Sequence, residues 1–90
     1  MANLTLDKTN YAAYSGGQML DLEPREFDIL WILAEKPSKT YRERELYEAV
    51  KKSHPQLQES PFRKYIHQLR YKLNRKFIQI LDENCYRISF

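Results

Sequence analysis

Residues 60–77, SPFRKYIHQLRYKLNRKF, decide the fold. They hold six basic side chains (Arg63, Lys64, Arg70, Lys72, Arg75, Lys76) and no acidic one. Phe62, Ile66, Leu69 and Leu73 recur at a spacing of four, three and four, which is one stripe of an amphipathic helix. This predicts a helix over 61–74 with an apolar face to bury and a cationic, hydrogen-bonding face to present. Phosphates attract such a helix, and its exposed side chains are the kind that read base edges in a groove. Ser60 suits the N-cap and Pro61 the first helical position, where a missing N–H costs nothing.

Working outward, the charge is unevenly spread. The 90-residue chain carries a net charge of +3, yet residues 61–77 alone carry six bases, and residues 21–49 hold eight acids against five bases. One basic element sits on a neutral-to-acidic body. A charge run is ordinarily a solvated face, but surface helices usually mix signs, and this one does not. Ninety residues suit a single domain, 1–90, with a small core. Cys85 is the only cysteine, so no internal disulfide forms and a reducing cytoplasm fits. No apolar run is long enough to span a membrane, and the opening MANLTLDKTN lacks the core of a signal peptide.

Before the basic helix, residues 3–22 read as a small antiparallel sheet whose middle turn is Gly16-Gly17. Pro24 at a first helical turn, with Glu23, Glu26 and Asp28 at the positive end of the dipole, opens a helix over 24–35. Phe27, Leu30, Trp31 and Ala34 form one stripe and Ile29 and Leu33 a second, so this helix, Trp31 included, is expected at the centre of the core. Thr40-Tyr41 suggests a brief strand. A second helix, 43–52, turns Leu46, Ala49 and Val50 inward, with Glu43 and Glu45 on a solvated face. Residues 53–59 read as a polar loop in which His54 has no second ligand with which to hold a metal. After the basic helix, two β-rich runs flank Asp82–Cys85 and predict a hairpin over 77–90, with Tyr86, Ile88 and Phe90 on its buried face. The expected class is α+β: a winged helix-turn-helix with an N-terminal small antiparallel sheet, three helices and a C-terminal β-hairpin wing.

Four stretches, in order, resemble the effector domain of the OmpR/PhoB family of bacterial response regulators. Leu22-Glu23-Pro24-Arg25-Glu26-Phe27-Asp28-Ile29-Leu30 is similar to that family's Leu-Thr-Pro-x-Glu-Phe-x-Leu-Leu helix start. Residues 41–50 resemble the approach to its second helix. Phe62-x3-Ile66-x2-Leu69-Arg70-x-Lys72-Leu73 follows its recognition-helix pattern, and Ile78-x-Ile80-Leu81 with Tyr86-Arg87 resembles its wing strands. The chain departs from the pattern at Glu23, where Thr is usual, at Tyr65 in place of a frequent His, at Gln68 in place of a basic residue, and at Asp82 in place of a wing Arg. A carboxylate at that point is repelled by phosphate, which argues against minor-groove reading by this wing and for a divergent member with its own sequence preference.

The resemblance implies sequence-specific binding of double-stranded DNA by a transcription regulator of a two-component system, with the helix over 61–74 in the major groove. On a helical wheel Arg63, Lys64, His67, Gln68, Tyr71 and Lys72 face outward. Gln68 suits adenine N6 and N7, and His67 or Lys64 suits guanine N7 or O6. Arg70 and Lys72 match family positions near the backbone, where they would hold phosphates. Tyr65 either donates its hydroxyl to a phosphate or packs at the core edge, and Tyr71 likewise faces either role. Arg87 either holds a phosphate or braces the wing. The family's loop between its second and third helices contacts RNA polymerase, which would place Lys52, Ser53, His54, Gln56 and Gln58 in that contact, unless the loop is a plain connector, which its composition equally allows. Members commonly pair head to tail on direct repeats. The receiver domain that usually precedes this module, through which a dimer would form, is absent from these residues, and excision from a larger regulator is the expectation. No catalytic residue, metal site or cofactor is expected: Cys85 and a distant His make neither a zinc site nor a nucleophile, and there is no glycine-rich phosphate loop. The alternative function is a protein-interaction winged helix whose basic helix docks an acidic partner, a reading favoured by the acidic wing turn. A membrane-tethered relative would need a span that these residues lack.

Overall fold

The structure, a computed structural model, describes residues 3–82 and 84–89. Its elements run β1 (Leu4–Asp7), β2 (Ala12–Ser15), β3 (Gln18–Leu20), α1 (Pro24–Glu35), β4 (Tyr41–Arg42), α2 (Glu43–Lys51), α3 (Phe62–Lys72), β5 (Ile78–Leu81) and β6 (Cys85–Ile88). Two antiparallel sheets flank three helices, with strand orders β1-β2-β3 and β4-β6-β5. This is a winged helix with a leading three-stranded sheet, the expected class.

The leading hairpin turns at Gly16-Gly17, with Ser15 opposite Gln18 and both glycines at positive φ (59° and 81°). A two-residue turn that matches strand twist requires that conformation, which only glycine takes at no steric cost. The core is built by Ile29, Leu30 and Leu33 of α1, Leu46 and Val50 of α2, Ile66 and Leu69 of α3, and Tyr86 and Ile88 of β6. The stripe Phe62, Ile66, Leu69 and Leu73 is buried throughout, as its spacing predicts. Phe90 and Glu83 lie outside the described residues.

Four local expectations are corrected. Pro61, not Ser60, occupies the N-cap position of α3. The Phe62 N–H donates to the Glu59 carbonyl at 3.1 Å, so the chain enters the helix through a tight turn. Trp31 is half-buried rather than central: its ring stacks on Phe27 at 6.1 Å and lies under the Lys8 ammonium at 5.1 Å. Residues 53–59 are anchored rather than simply polar, because Leu57 is buried and its carbonyl accepts the Tyr47 hydroxyl at 2.9 Å. Cys85 belongs to β6, not to the turn.

The wing joins the helices along a sheet. Tyr41 pairs with Tyr86 and Arg42 with Cys85, so the strand leading into α2 is hydrogen-bonded to the wing. The Glu43 N–H, at the start of α2, donates to the Asn84 carbonyl at 2.9 Å. The wing is thus fixed relative to the helices.

Candidate nucleic-acid interface

The outer face of α3 is the centre of the candidate interface. Lys64, His67, Gln68 and Tyr71 are exposed there, and Tyr71, at 75% exposure, does not pack at the core edge. Glu23, Lys64, His67, Gln68, Tyr71 and Lys72 line a shallow cleft of about 500 Å3. A second, of about 260 Å3, runs along His67, Arg70, Tyr71 and Arg75. Donors, an acceptor and an aromatic ring therefore share one continuous surface beside clustered positive charge. Exposed Arg75 extends it beyond the helix, a residue that a wheel confined to the helix leaves out.

Other candidate residues are engaged by the protein itself. The Lys72 ammonium donates to Glu26 Oε1 at 2.7 Å. Glu26 is fully buried, and the same oxygen accepts the Glu23 N–H at 2.9 Å. Lys72 thus ties α3 to the first turn of α1. Arg70 Nε reaches the Ile78 carbonyl at 3.4 Å, which links α3 to β5. The Tyr65 ring lies beneath the Arg25 guanidinium, 4.0 Å from its carbon, and packs against the core. Arg87 Nη2 donates to Gln79 Oε1 at 2.9 Å across the β5–β6 pair, which is the bracing geometry.

Glu43 was the residue that sequence reasoning misread. It is no solvated acid: its Oε1 accepts the Tyr86 hydroxyl at 2.9 Å and Arg63 Nε at 3.0 Å, and its Oε2 faces Arg63 Nη2 at 3.4 Å. One carboxylate joins α2, α3 and the wing. Burial alone would raise the Glu43 carboxyl, but the hydrogen bonds from Arg63 and Tyr86 outweigh it and hold the group below the usual glutamate range. Burial, reinforced by the bond to Glu43, pushes the Tyr86 hydroxyl well above the tyrosine range. No spacing signal could have found this, since the partners lie far apart in the chain.

His54 is anchored too: its Nε2 meets Asp28 Oδ2 at 2.5 Å. Asp28, on α1, is 2% exposed and also accepts the Tyr11 hydroxyl, at 3.0 and 3.1 Å, with Lys8 Nζ at 3.7 Å. The hydrogen bond to Asp28 raises the Tyr11 hydroxyl above its ordinary value. Lys52, Ser53, Gln56 and Gln58 of the same α2–α3 loop are exposed. The loop flanks a cleft of about 640 Å3 shared with Pro24, Arg25, Pro61 and Tyr65. Among the described residues, no group of three or more His, Cys, Asp or Glu is arranged to hold a metal ion, and no helix is long and apolar enough to cross a membrane.

Solved structures share this architecture. The DNA-binding domain of the response regulator AdeR, in complex with an intercistronic region, is similar with a TM-score of 0.80 at 20% identity, over 97% of this chain and 93% of that one. The DNA-binding domain of Bacillus subtilis CssR is similar with a TM-score of 0.79 at 16% identity, over 97% of this chain and 100% of that one. The C128S mutant of RitR is similar with a TM-score of 0.82 at 28% identity, over 97% of this chain but 39% of that longer one. No curated protein matches the sequence. Residues 17–88 match the family described as "Transcriptional regulatory protein, C terminal", and the chain belongs to that family, the winged-helix DNA-binding domains of OmpR/PhoB-type response regulators, which are transcription regulators and not a class of enzyme.

Proposed function

We infer that the chain reads double-stranded DNA sequence-specifically, with α3 in the major groove and residues 1–90 acting as one winged-helix unit. The observation that carries this is the outer face of α3, where Lys64, His67, Gln68 and Tyr71 stand exposed together. Gln68 supplies an amide that matches adenine, His67 and Lys64 supply donors for guanine, and Arg75 and Lys76 supply charge for phosphates. Arg63, Arg70, Lys72 and Tyr65 support that face by holding the helix, and Arg87 by bracing the wing. The exposed loop residues Lys52, Ser53, Gln56 and Gln58 form a polymerase-facing surface that the His54–Asp28 contact steadies. Two copies bind head to tail on direct repeats, in the cytoplasm, and a receiver domain elsewhere in the regulator would add a dimer contact.

Selection from a random duplex pool, followed by anisotropy titrations against a scramble over a range of salt, tests this. A reader enriches a motif and prefers it by roughly 10³ at physiological salt. Exposed Asp82 keeps anionic partners off the wing turn, and a second reading is a module that docks an acidic protein through α3 alone. Equal, weak binding to both duplexes would select that reading instead.

A further inference from the structure

The reading face of α3 loses one cation to the fold. Arg63 stands in the first turn of α3, one turn before His67. In recognition helices of this kind the first turn carries side chains that reach base edges. Arginine bonded to guanine O6 and N7 is the commonest specific contact there. Arg63, however, spends two nitrogens on the two oxygens of Glu43, at 3.0 and 3.4 Å. The Nε–Nη2 edge of the guanidinium is occupied, and this anchor turns the remaining donors where Glu43, not a base, dictates. Glu43 is itself immobilised, since the Tyr86 hydroxyl holds its Oε1 and the Asn84 carbonyl holds its backbone N–H. The Arg63 side chain is 52% exposed, so the pair contributes little to folding, and its release is compatible with an intact domain.

We propose that Glu43 is a specificity-determining residue of the DNA interface, acting through Arg63: it withholds that guanidinium from guanine and leaves base reading to Lys64, His67, Gln68 and Tyr71. This rests on the DNA-reading function inferred above. With Arg63 withheld, Gln68 is the side chain on this face that pairs with a base through two bonds, and its partner is adenine. The Tyr71 ring offers apolar surface to a neighbouring thymine methyl. The selected motif is therefore built on adenine opposite Gln68 and on the guanine contacts of Lys64 and His67, and it lacks the further guanine that a free Arg63 would require.

Duplex selection with the wild-type chain and Glu43→Gln tests the assignment. Glutamine keeps an acceptor for the Tyr86 hydroxyl but not the charge that holds Arg63. The expected result is a new guanine at one flank of the motif. Freeing one cation should also strengthen binding to scrambled duplex about fivefold at ~0.15 M salt and steepen the slope of log K against log salt by about 0.9. Both gains should vanish in the double variant E43Q/R63M. Tyr86→Phe unhooks the wing from Glu43 without freeing Arg63, and it should gain no guanine. If E43Q fails to fold, Glu43→Asp, too short to meet both guanidinium nitrogens, replaces it with the selected motif as the readout. The proposal is overturned if the motif of the Glu43 variant equals that of the wild type, or if Tyr86→Phe reproduces the gain through a loosened wing. A wild-type chain that enriches no motif overturns the DNA-reading function itself, whatever Glu43 does.

Discussion

A carboxylate that is 2% exposed, as Asp28 is, has little water to fall back on when its partners are removed. Tyr11 and His54 satisfy it, and each is in turn satisfied by it. Asp28→Ala should therefore cost about 2–4 kcal/mol, because it deletes two hydrogen bonds to a charged acceptor at once. Tyr11→Phe, which leaves the His54 contact in place, should cost only about 1 kcal/mol. Urea titrations followed by Trp31 fluorescence would rank them, and equal losses would refute the shared-acceptor account. Lys72 and Lys64 make a second contrast. Lys72→Met leaves the buried Glu26 without its cation and should cost about 2–4 kcal/mol. Lys64→Met should change stability by less than about 0.5 kcal/mol yet weaken DNA binding. Both lysines looked alike in the sequence, each outward on the wheel. Their difference is set by Glu26, distant in the chain, and no local pattern carries that.

Titration at this scale has a definite sign. The Glu43 carboxyl is held low in the folded protein, so its contribution is present above the ordinary glutamate pKa and is lost as pH falls through the lowered value. Tyr11 and Tyr86 are held high, so theirs is present below the ordinary tyrosine value of about 10 and is lost as pH rises through the raised values. Thermal midpoints across pH should therefore decline at both extremes. Glu43→Gln should flatten the acid side and Tyr86→Phe the alkaline side.

Among the elements, the end of α3 shows how a helix stops without glycine. The Arg75 N–H donates to the Arg70 carbonyl at 2.7 Å and the Asn74 N–H to the Tyr71 carbonyl at 3.0 Å. Asn74 and Arg75 both take left-handed φ, 57° and 59°. This is the Schellman arrangement, with asparagine where glycine is commonest. Asn74→Gly should stabilise by about 0.5 kcal/mol and Asn74→Ala should destabilise by about 1 kcal/mol. A midpoint that falls for glycine would show that the Asn74 side chain matters more than its backbone. Helix periods, the Gly16-Gly17 turn and the alternation of β6 were legible because each is a local rule. The start of α3 was not, because the turn through Glu59 competes with Ser60 for the cap. The strand at Tyr41 was legible as β-prone, but its partner was not.

For the whole molecule, charge separates into a basic face on α3 and acids that are mostly consumed by internal contacts. The family stretches in the sequence located the basic helix α3 correctly. They did not reveal that Arg63, Arg70 and Lys72 are partly committed to Glu43, the Ile78 carbonyl and Glu26. The free cations of the face are fewer than the sequence suggests, so the salt slope of binding should report fewer phosphate contacts than the six bases of residues 61–77. A slope of about −5 or steeper for a single copy, at roughly 0.9 per phosphate, would mean that these ion pairs open on DNA.

The pairing of Tyr41 with Tyr86 also sets a schedule for synthesis. A domain emerging from the ribosome exposes its leading sheet, α1 and α2 first, and such partly closed chains leave apolar surface open. Tyr86 and Ile88, both buried in the finished core, arrive after all three helices. Until they do, the strand ahead of α2 has no neighbour and the core is open on that side. A chain interrupted before Cys85 is therefore not a weaker reader of DNA but a client for chaperones and proteases.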